Sequence, residues 1–131
     1  MVTVTAYAFQ YAVLRAVPRV ERGEFINIGV IMYCQHAEFL RAEVVIDVAR
    51  LRGLDPEVDL EAVQTAAQAI VEACEAESGS ARENDGLAAR FGMLTAPRST
   101  VVQPSAIHAG VTHDPERTLA ELMAKLVAPT S

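Results

Sequence analysis

Several residue types are scarce in this chain of 131 residues, which has no tryptophan, two cysteines and a single lysine. The cysteines, Cys34 and Cys74, are far apart and share no metal-ligand spacing, so we expect two buried free thiols rather than a disulfide or a nucleophile. No stretch approaches the ~18 consecutive apolar residues that cross a bilayer. The opening MVTVTAYAF lacks the basic and long apolar regions of a signal peptide. These absences predict a cytoplasmic protein that does not span a membrane.

Positive charge is also scarce, with 11 basic against 17 acidic residues and a net charge of −6. General binding to nucleic acid needs clustered lysine and arginine, so nucleic acid is not an expected partner. Nearly all the positive charge is carried by arginine, whose planar guanidinium suits bidentate recognition of a carboxylate or phosphate at a single site.

Standard catalytic motifs are missing from the sequence. It has no phosphate-binding P-loop, no GxGxxG before a helix, no GxSxG, no HExxH and no CxxC. His108 and His113 lie close together beside Asp114, but two histidines without a clear third ligand are more typical of a surface loop than of a metal site. We therefore expect no metal and no cofactor, and we assign no catalytic residue.

Three apolar segments predict strands in the first part of the chain. Residues 7–17, YAFQYAVLRAV, alternate with period two, which is typical of a strand that ends at Pro18. Residues 25–34, FINIGVIMYC, are almost continuously apolar and predict a strand buried on both faces. The short connector between them favours an antiparallel hairpin. Residues 38–48, EFLRAEVVIDV, predict the third strand.

The pattern changes to a helical period from Leu60, where apolar residues recur every three or four positions to about Glu77. Asp59 or Asp55 would cap this helix. A second helix follows Asp114, with Pro115 at its first position.

The remaining segments predict connections and short elements. Residues 49–59 read as a connector, residues 77–86 as a polar loop and residues 87–93 as a short helical turn. The segment STVVQ reads as a short edge strand before Pro104, and IHAGVTHD reads as a loop. Strands that precede helices indicate a single α+β domain over residues 1–131, with an antiparallel sheet of about four strands and helices packed on one face.

A polar group interrupts the most apolar stretch, RGEFINIGVIMY at residues 22–33. Strand alternation puts Asn27 and Gly29 on the same face. A buried amide without a hydrogen-bond partner costs ~1–3 kcal/mol, so Asn27 must bind backbone or face a polar cleft. A glycine within a strand marks a bulge or a close approach by another backbone or a ligand.

Further polar residues would converge on this point. Arg15 meets Asn27 across the hairpin, Arg22 and Glu24 flank the start of the second strand, and Arg98 would point to the same region. One interpretation is a site for an anion such as phosphate, in which Glu24 orients an arginine or acts as a base. The other is a structural clasp, in which Glu24 pairs with Arg15 or Arg98 and Asn27 holds a loop.

An aromatic stripe, formed by Tyr7, Phe9 and Tyr11, shares one face of the first strand. Core packing is the simpler interpretation of this stripe, and a stacking platform for nucleotides is the alternative.

Two separated motifs resemble a bacterial family known only as a domain of unknown function, number three-thousand-and-thirty-seven. The first motif reads Tyr-x-x-Leu-Arg-x-x-Pro at residues 11–18 and Arg-Gly-Glu-Phe-x-Asn-x-Gly-Val at residues 22–30. The second reads Pro-Arg-Ser at residues 97–99 and His-x-Gly at residues 108–110. The resemblance covers nearly the whole chain and implies an accessory protein with a HipA-like kinase as its partner.

The hypothesis is therefore a small accessory or binding protein, which takes an anionic ligand at the polar group or a protein partner, including a second copy, along a sheet edge or helix face. The alternative is an enzyme acting on a phosphorylated or nucleotide-like substrate, with Glu24 as base and His108 as acid. In this enzyme, the substrate's charge would be neutralised by Arg15, Arg22 and Arg98. The candidate ligand-binding residues are Arg15, Arg22, Glu24, Asn27, Arg98 and His108.

Overall fold

The computed structural model describes residues 5–76 and 83–128. Its strands and helices follow one another along the chain as β1 (Tyr7–Ala16), β2 (Ile26–Cys34), β3 (Phe39–Val44), α1 (Val48–Leu54), α2 (Leu60–Glu75), α3 (Glu83–Leu94), β4 (Val102–Pro104), β5 (His108–Thr112) and α4 (Pro115–Leu126).

The five strands form one antiparallel sheet in which β1 has neighbours on both sides. One side of β1 pairs with β2, which in turn pairs with β3. The other side is shared by β5, opposite residues 7–11, and β4, opposite residues 14–16. The predicted α+β class, the antiparallel hairpin and the short edge strand at β4 are confirmed. The prediction of a loop at IHAGVTHD was wrong, because β1 is long enough to offer β5 a free edge that no local pattern reveals.

Helices cover both faces of the sheet. Alternate residues of β1, including Ala12 and Leu14, pack with α1, α2 and α3 in the larger apolar cluster. Phe9 lies on the opposite face with Leu119 and Met123 of α4 in a smaller cluster. Of the helices in the described residues, three therefore lie on one face, and α4 covers the other. The expectation that the helices pack on one face only was wrong, because the strands present apolar residues on both faces.

A bulge in β2 interrupts the alternation of its side chains, so residues two positions apart across the bulge face opposite sides of the sheet. Leu14 lies opposite Gly29, but Arg15 lies opposite Asn27, so Ile28 is the extra residue. Asn27 precedes the bulge and faces α4, whereas Gly29 follows it and faces the larger cluster. The prediction that the glycine marks a bulge or a close approach is confirmed on both counts, since a Cβ on Gly29 would lie 2.4 Å from the carbonyl oxygen of Glu43. The expectation that Asn27 and Gly29 share a face was wrong, because the bulge breaks the alternation.

Three helices, α1, α2 and α4, begin where a carboxylate side chain accepts a hydrogen bond from the first turn, which satisfies one of its free N–H groups. Asp59 caps α2 and Asp114 caps α4, which confirms both predictions. Asp47 caps α1, a helix in a segment that we had expected to be a connector. α3 is longer than the predicted turn over residues 87–93.

Several smaller expectations also have outcomes. The predicted loop over residues 77–86 falls partly outside the described residues, and its last part begins α3.

Both cysteines are free and buried, as expected. Burial raises the pKa of the Cys74 thiol to about 12, so this thiol is an unreactive part of the core. In the part of the chain that the structure describes, no helix is long and apolar enough to cross a membrane.

Candidate functional site

The centre of the candidate site is the pair Arg15 and Asn27, which face each other across the β1–β2 hairpin. Both side chains lie on the α4 face of the sheet, because their strand neighbours Leu14 and Ile28 belong to the opposite cluster. Both residues are half-buried. The hairpin predicted that the two residues lie near each other, and the bulge at Ile28 brings them directly opposite, since an unbroken register would pair Arg15 with Ile28.

Arg15 is held by an aromatic ring rather than by a carboxylate. Its guanidinium carbon lies 4.2 Å from the centre of the Phe25 ring, a distance typical of a cation–π contact. Its Nε atom is buried and has no hydrogen-bond partner among the described residues. Within the described residues, Arg15 therefore brings a positive charge without a carboxylate partner to this point of the sheet.

Asn27 connects the sheet to the end of α4. Its Nδ2 atom donates to the carbonyl oxygen of Leu126 at 3.1 Å, one of the carbonyls that a helix C-terminus leaves without an internal partner. Its Oδ1 atom is buried and, within the described ranges, accepts no hydrogen bond. One half of the amide thus acts as the predicted clasp, and the other half has no hydrogen-bond partner within the described ranges.

Arg22 and Glu24 form an exposed ion pair with each other. The hydrogen bond from Arg22 holds the pKa of Glu24 below its ordinary value, whereas a general base at neutral pH needs a raised pKa. The adjoining space, lined in part by Arg22 and Glu24, is only about 10 Å³, enough for no more than a water molecule. These two residues pair with each other at the surface, and the space beside them is too small for a phosphate.

Asp55 lies beside this pair and is nearly buried. It accepts a hydrogen bond from the backbone N–H of Glu57 at 3.0 Å and pairs with Arg19 at 3.3 Å. The hydrogen bond from Glu57 and then the contact with Arg19 hold the pKa of Asp55 below its ordinary value of 3.8.

When a carboxyl group has a lower pKa in the folded state than in the unfolded state, its ionised form stabilises the fold. This stability is fully present above the unfolded-state pKa and is lost as the pH falls through the folded-state pKa. We therefore expect wild-type protein to lose more stability than Asp55→Asn between neutral pH and about pH 3. Urea unfolding of both proteins at the two pH values measures this difference. An equal acid loss in the variant would exclude Asp55 as a contributor.

Arg98 is anchored at the end of α3. Its Nη2 atom donates to the carbonyl oxygen of Met93 at 2.7 Å, and its Nε atom donates to the carbonyl of Ala96 at 3.4 Å. α3 packs against the larger cluster, on the face of the sheet opposite to Arg15. The structure therefore uses Arg98 to cap a helix, as expected for a cation at a helix C-terminus, and does not bring it to Asn27.

His108 begins β5 and lies opposite Tyr11 of β1. The centres of the two rings are 5.2 Å apart in a stacked arrangement. On the other side of Phe9, Tyr7 and His36 stack at 6.3 Å. Phe9 is buried against α4 with the two tyrosines packed around it, so the aromatic stripe serves the core. Within the described residues, no group of three or more His, Cys, Asp or Glu side chains is placed to hold a metal ion.

A comparison with protein families shows which family the chain belongs to. A family model described as protein of unknown function, DUF3037, matches residues 11–127. The chain belongs to the DUF3037 family. The predicted resemblance is thereby confirmed, while the HipA-like kinase partner stays a prediction. No curated protein and no solved structure matches this chain.

The sequence predicts a partner surface along a sheet edge or helix face but does not indicate which residues form it. A groove of about 970 Å³ runs along β3 and is closed on one side by α2, with Leu40, Ala42, Val44, Ala67 and Val71 among its lining residues. The apolar period of α2 and the alternation of β3 predicted each wall. Their separation depends on tertiary packing, so no sequence signal could have located the groove.

Proposed function

We propose that this DUF3037 protein is an accessory protein that binds a small anionic ligand at Arg15, Phe25 and Asn27. The observation that supports the proposal most directly is that the half-buried Arg15 has no carboxylate partner among the described residues. Burying positive charge without a partner is costly. The chain has 17 acidic residues, so the lack of a carboxylate beside Arg15 among the described residues supports an anionic ligand as its partner.

The other arginines of the described residues support this interpretation by contrast. Four of them form ion pairs with carboxylates. Arg90 and Arg98 donate to backbone carbonyls. Arg50 and Arg52 lie exposed on α1, where water solvates their charge. Among the arginines that the structure describes, Arg15 alone combines partial burial with an unpaired guanidinium nitrogen.

The chemistry of the site favours a ligand with two kinds of group. A guanidinium binds carboxylate or phosphate oxygens through parallel N–H donors. The Oδ1 atom of Asn27 needs a donor, which a hydroxyl group supplies. The exposed ring of Phe25 offers an apolar surface beside both groups. A phosphorylated, hydroxyl-bearing compound such as a sugar phosphate meets these three requirements.

Arg15→Met is expected to weaken binding of ribose 5-phosphate by at least about tenfold, because a hydrogen bond to a charged group contributes about 1.5–3 kcal/mol. Titration calorimetry at low ionic strength, where charge screening is small, measures the dissociation constants. Inorganic phosphate should bind wild-type protein more weakly than ribose 5-phosphate, because it offers fewer donors to Asn27.

Arg50→Met is the matched control, since it removes the same charge from an exposed position. It should leave the dissociation constant within about twofold of wild type. The proposal is wrong if Arg15→Met and wild-type protein bind the sugar phosphate equally, or if neither the sugar phosphate nor inorganic phosphate binds wild-type protein.

The enzyme hypothesis receives less support from the geometry. It assigned Glu24 as a base, but the pKa of Glu24 is lowered by Arg22. It assigned His108 as an acid, but the His108 ring stacks on Tyr11. It also required Arg98, which bonds to the end of α3. A reaction at Arg15 and Asn27 stays a prediction, as does a kinase-like protein partner.

A further inference from the structure

β3 is the last strand at its side of the sheet, in the order β3-β2-β1-β4. Every residue from Leu40 to Ile46 lines the groove beside α2. The lining includes side chains that point to each of the two faces of the sheet, so the groove runs along the free edge of the strand and not only along one face. An open strand edge of this kind pairs readily with another strand.

The pairing of β3 with β2 determines which backbone groups of β3 are free. The N–H of Val45 donates to the carbonyl of Ile28, so the pair Val45 and Ile28 is hydrogen-bonded. Since hydrogen-bonded pairs alternate in an antiparallel ladder, Glu43 and Arg41 also bond to β2. The N–H and C=O groups of the intervening Leu40, Ala42 and Val44 therefore point to the free edge.

Charge on β3 is self-complementary about Ala42. Arg41 and Glu43 flank Ala42 and lie on the same face of the strand. If two β3 strands pair antiparallel with Ala42 opposite Ala42 of the partner subunit, Arg41 lies opposite Glu43 of the partner subunit. The same pair forms a second time by symmetry. Arg41 already contacts Glu116, but both side chains are exposed, and exposed pairs of this kind exchange partners at little cost.

We propose that a second copy of this chain binds along β3, so that two sheets join into one ten-stranded sheet around a two-fold axis. Ala42 is a residue whose backbone groups point outward, so the central pair is hydrogen-bonded and the Arg41–Glu43 pairs fall at the closer, non-hydrogen-bonded positions. The outward-pointing backbone groups of Leu40, Ala42 and Val44 allow a centre at any of the three, and the charge pattern selects Ala42.

Apolar surface supports the same arrangement. Val45 is 58% exposed and would lie opposite Phe39 of the partner subunit. On the other face, the partner's Leu40 and the partner's Val44 would enter the groove beside Ala67 and Val71. Exposed apolar side chains at a sheet edge are typical of a surface that another chain covers.

The test exchanges the two charges and measures mass by analytical ultracentrifugation. Wild-type protein should form dimers, and each of R41E and E43R should weaken dimerisation at least tenfold, because like charges then face each other. The double variant R41E/E43R should dimerise as wild type does. An equimolar mixture of R41E and E43R should form a heterodimer, since both opposed pairs are again complementary.

Two further variants separate docking from folding. Glu116→Gln removes the existing contact of Arg41 and should leave dimerisation unchanged. Ala42→Pro removes an N–H that points to the free edge and not to β2, so it should abolish the dimer and leave a folded monomer by circular dichroism.

Wild-type protein that remains monomeric at about 100 µM would overturn the proposal. So would a dimer that is unaffected by R41E and E43R, or single variants whose mixture does not associate. Capture of a lysine-rich extended peptide by a monomeric wild-type chain would also overturn it, because that result assigns the edge to a different occupant.

Discussion

Replacing Gly29 by alanine is expected to destabilise the fold by about 3 kcal/mol. The added Cβ would lie 2.4 Å from the carbonyl oxygen of Glu43 and 2.9 Å from Cγ2 of Val44. The oxygen belongs to the backbone that pairs β3 with β2, so it cannot move aside without weakening the ladder. Urea unfolding of Gly29→Ala and wild-type protein measures the loss.

Gly92→Ala is the control for this substitution. Gly92 lies in α3, and a Cβ at this position would meet no atom within 4 Å. Alanine favours a helix over glycine by up to about 1 kcal/mol, so this variant should be as stable as wild type or more stable. If both variants destabilise the protein equally, the close approach of β3 to Gly29 is not the reason for the glycine.

The second large effect is expected at Leu14, which has no exposed surface and lies in the central strand β1. Leu14→Ala should lower the free energy of unfolding by about 3 kcal/mol, because it removes buried apolar surface and leaves a cavity. That is a large part of the ~5–15 kcal/mol by which domains of this kind are stable. Chemical denaturation measures it.

Val111→Ala provides the comparison, because Val111 is 68% exposed on β5. Surface substitutions of this kind change stability by less than about 0.5 kcal/mol. A Leu14 variant that loses no more stability than the Val111 variant would show that the face of β1 covered by α2 is not the centre of the core.

Local patterns were good predictors of separate elements in this protein. The alternation of β1 assigned Leu14 to one face and Arg15 to the other, and the structure agrees. The capping aspartates, Asp59 and Asp114, fixed the starts of α2 and α4. These signals succeed because they arise from steric and hydrogen-bond requirements within a few residues of the chain.

The candidate site was only partly predictable for the same reason. Arg15 and Asn27 lie on the two strands of a hairpin, which is a local structure, but they face each other only because the bulge at Ile28 shifts the register. The position of Arg98 depended on where α3 ends relative to the sheet. Its guanidinium donates to carbonyls at and just after the end of α3 and does not reach Asn27. The approach of Leu126 to Asn27 joins residues 99 positions apart, which no sequence spacing could indicate.

The sequence by itself determined the fold class, the family, the strands of the hairpin and the capped helices, because each rests on residue type and spacing. Only the tertiary structure decided that β5 joins the sheet, that α4 covers the second face, and that the β2 bulge turns Asn27 toward α4 and away from Gly29. These features depend on pairings between distant segments, whose energies come from surfaces that exist only after the chain has folded.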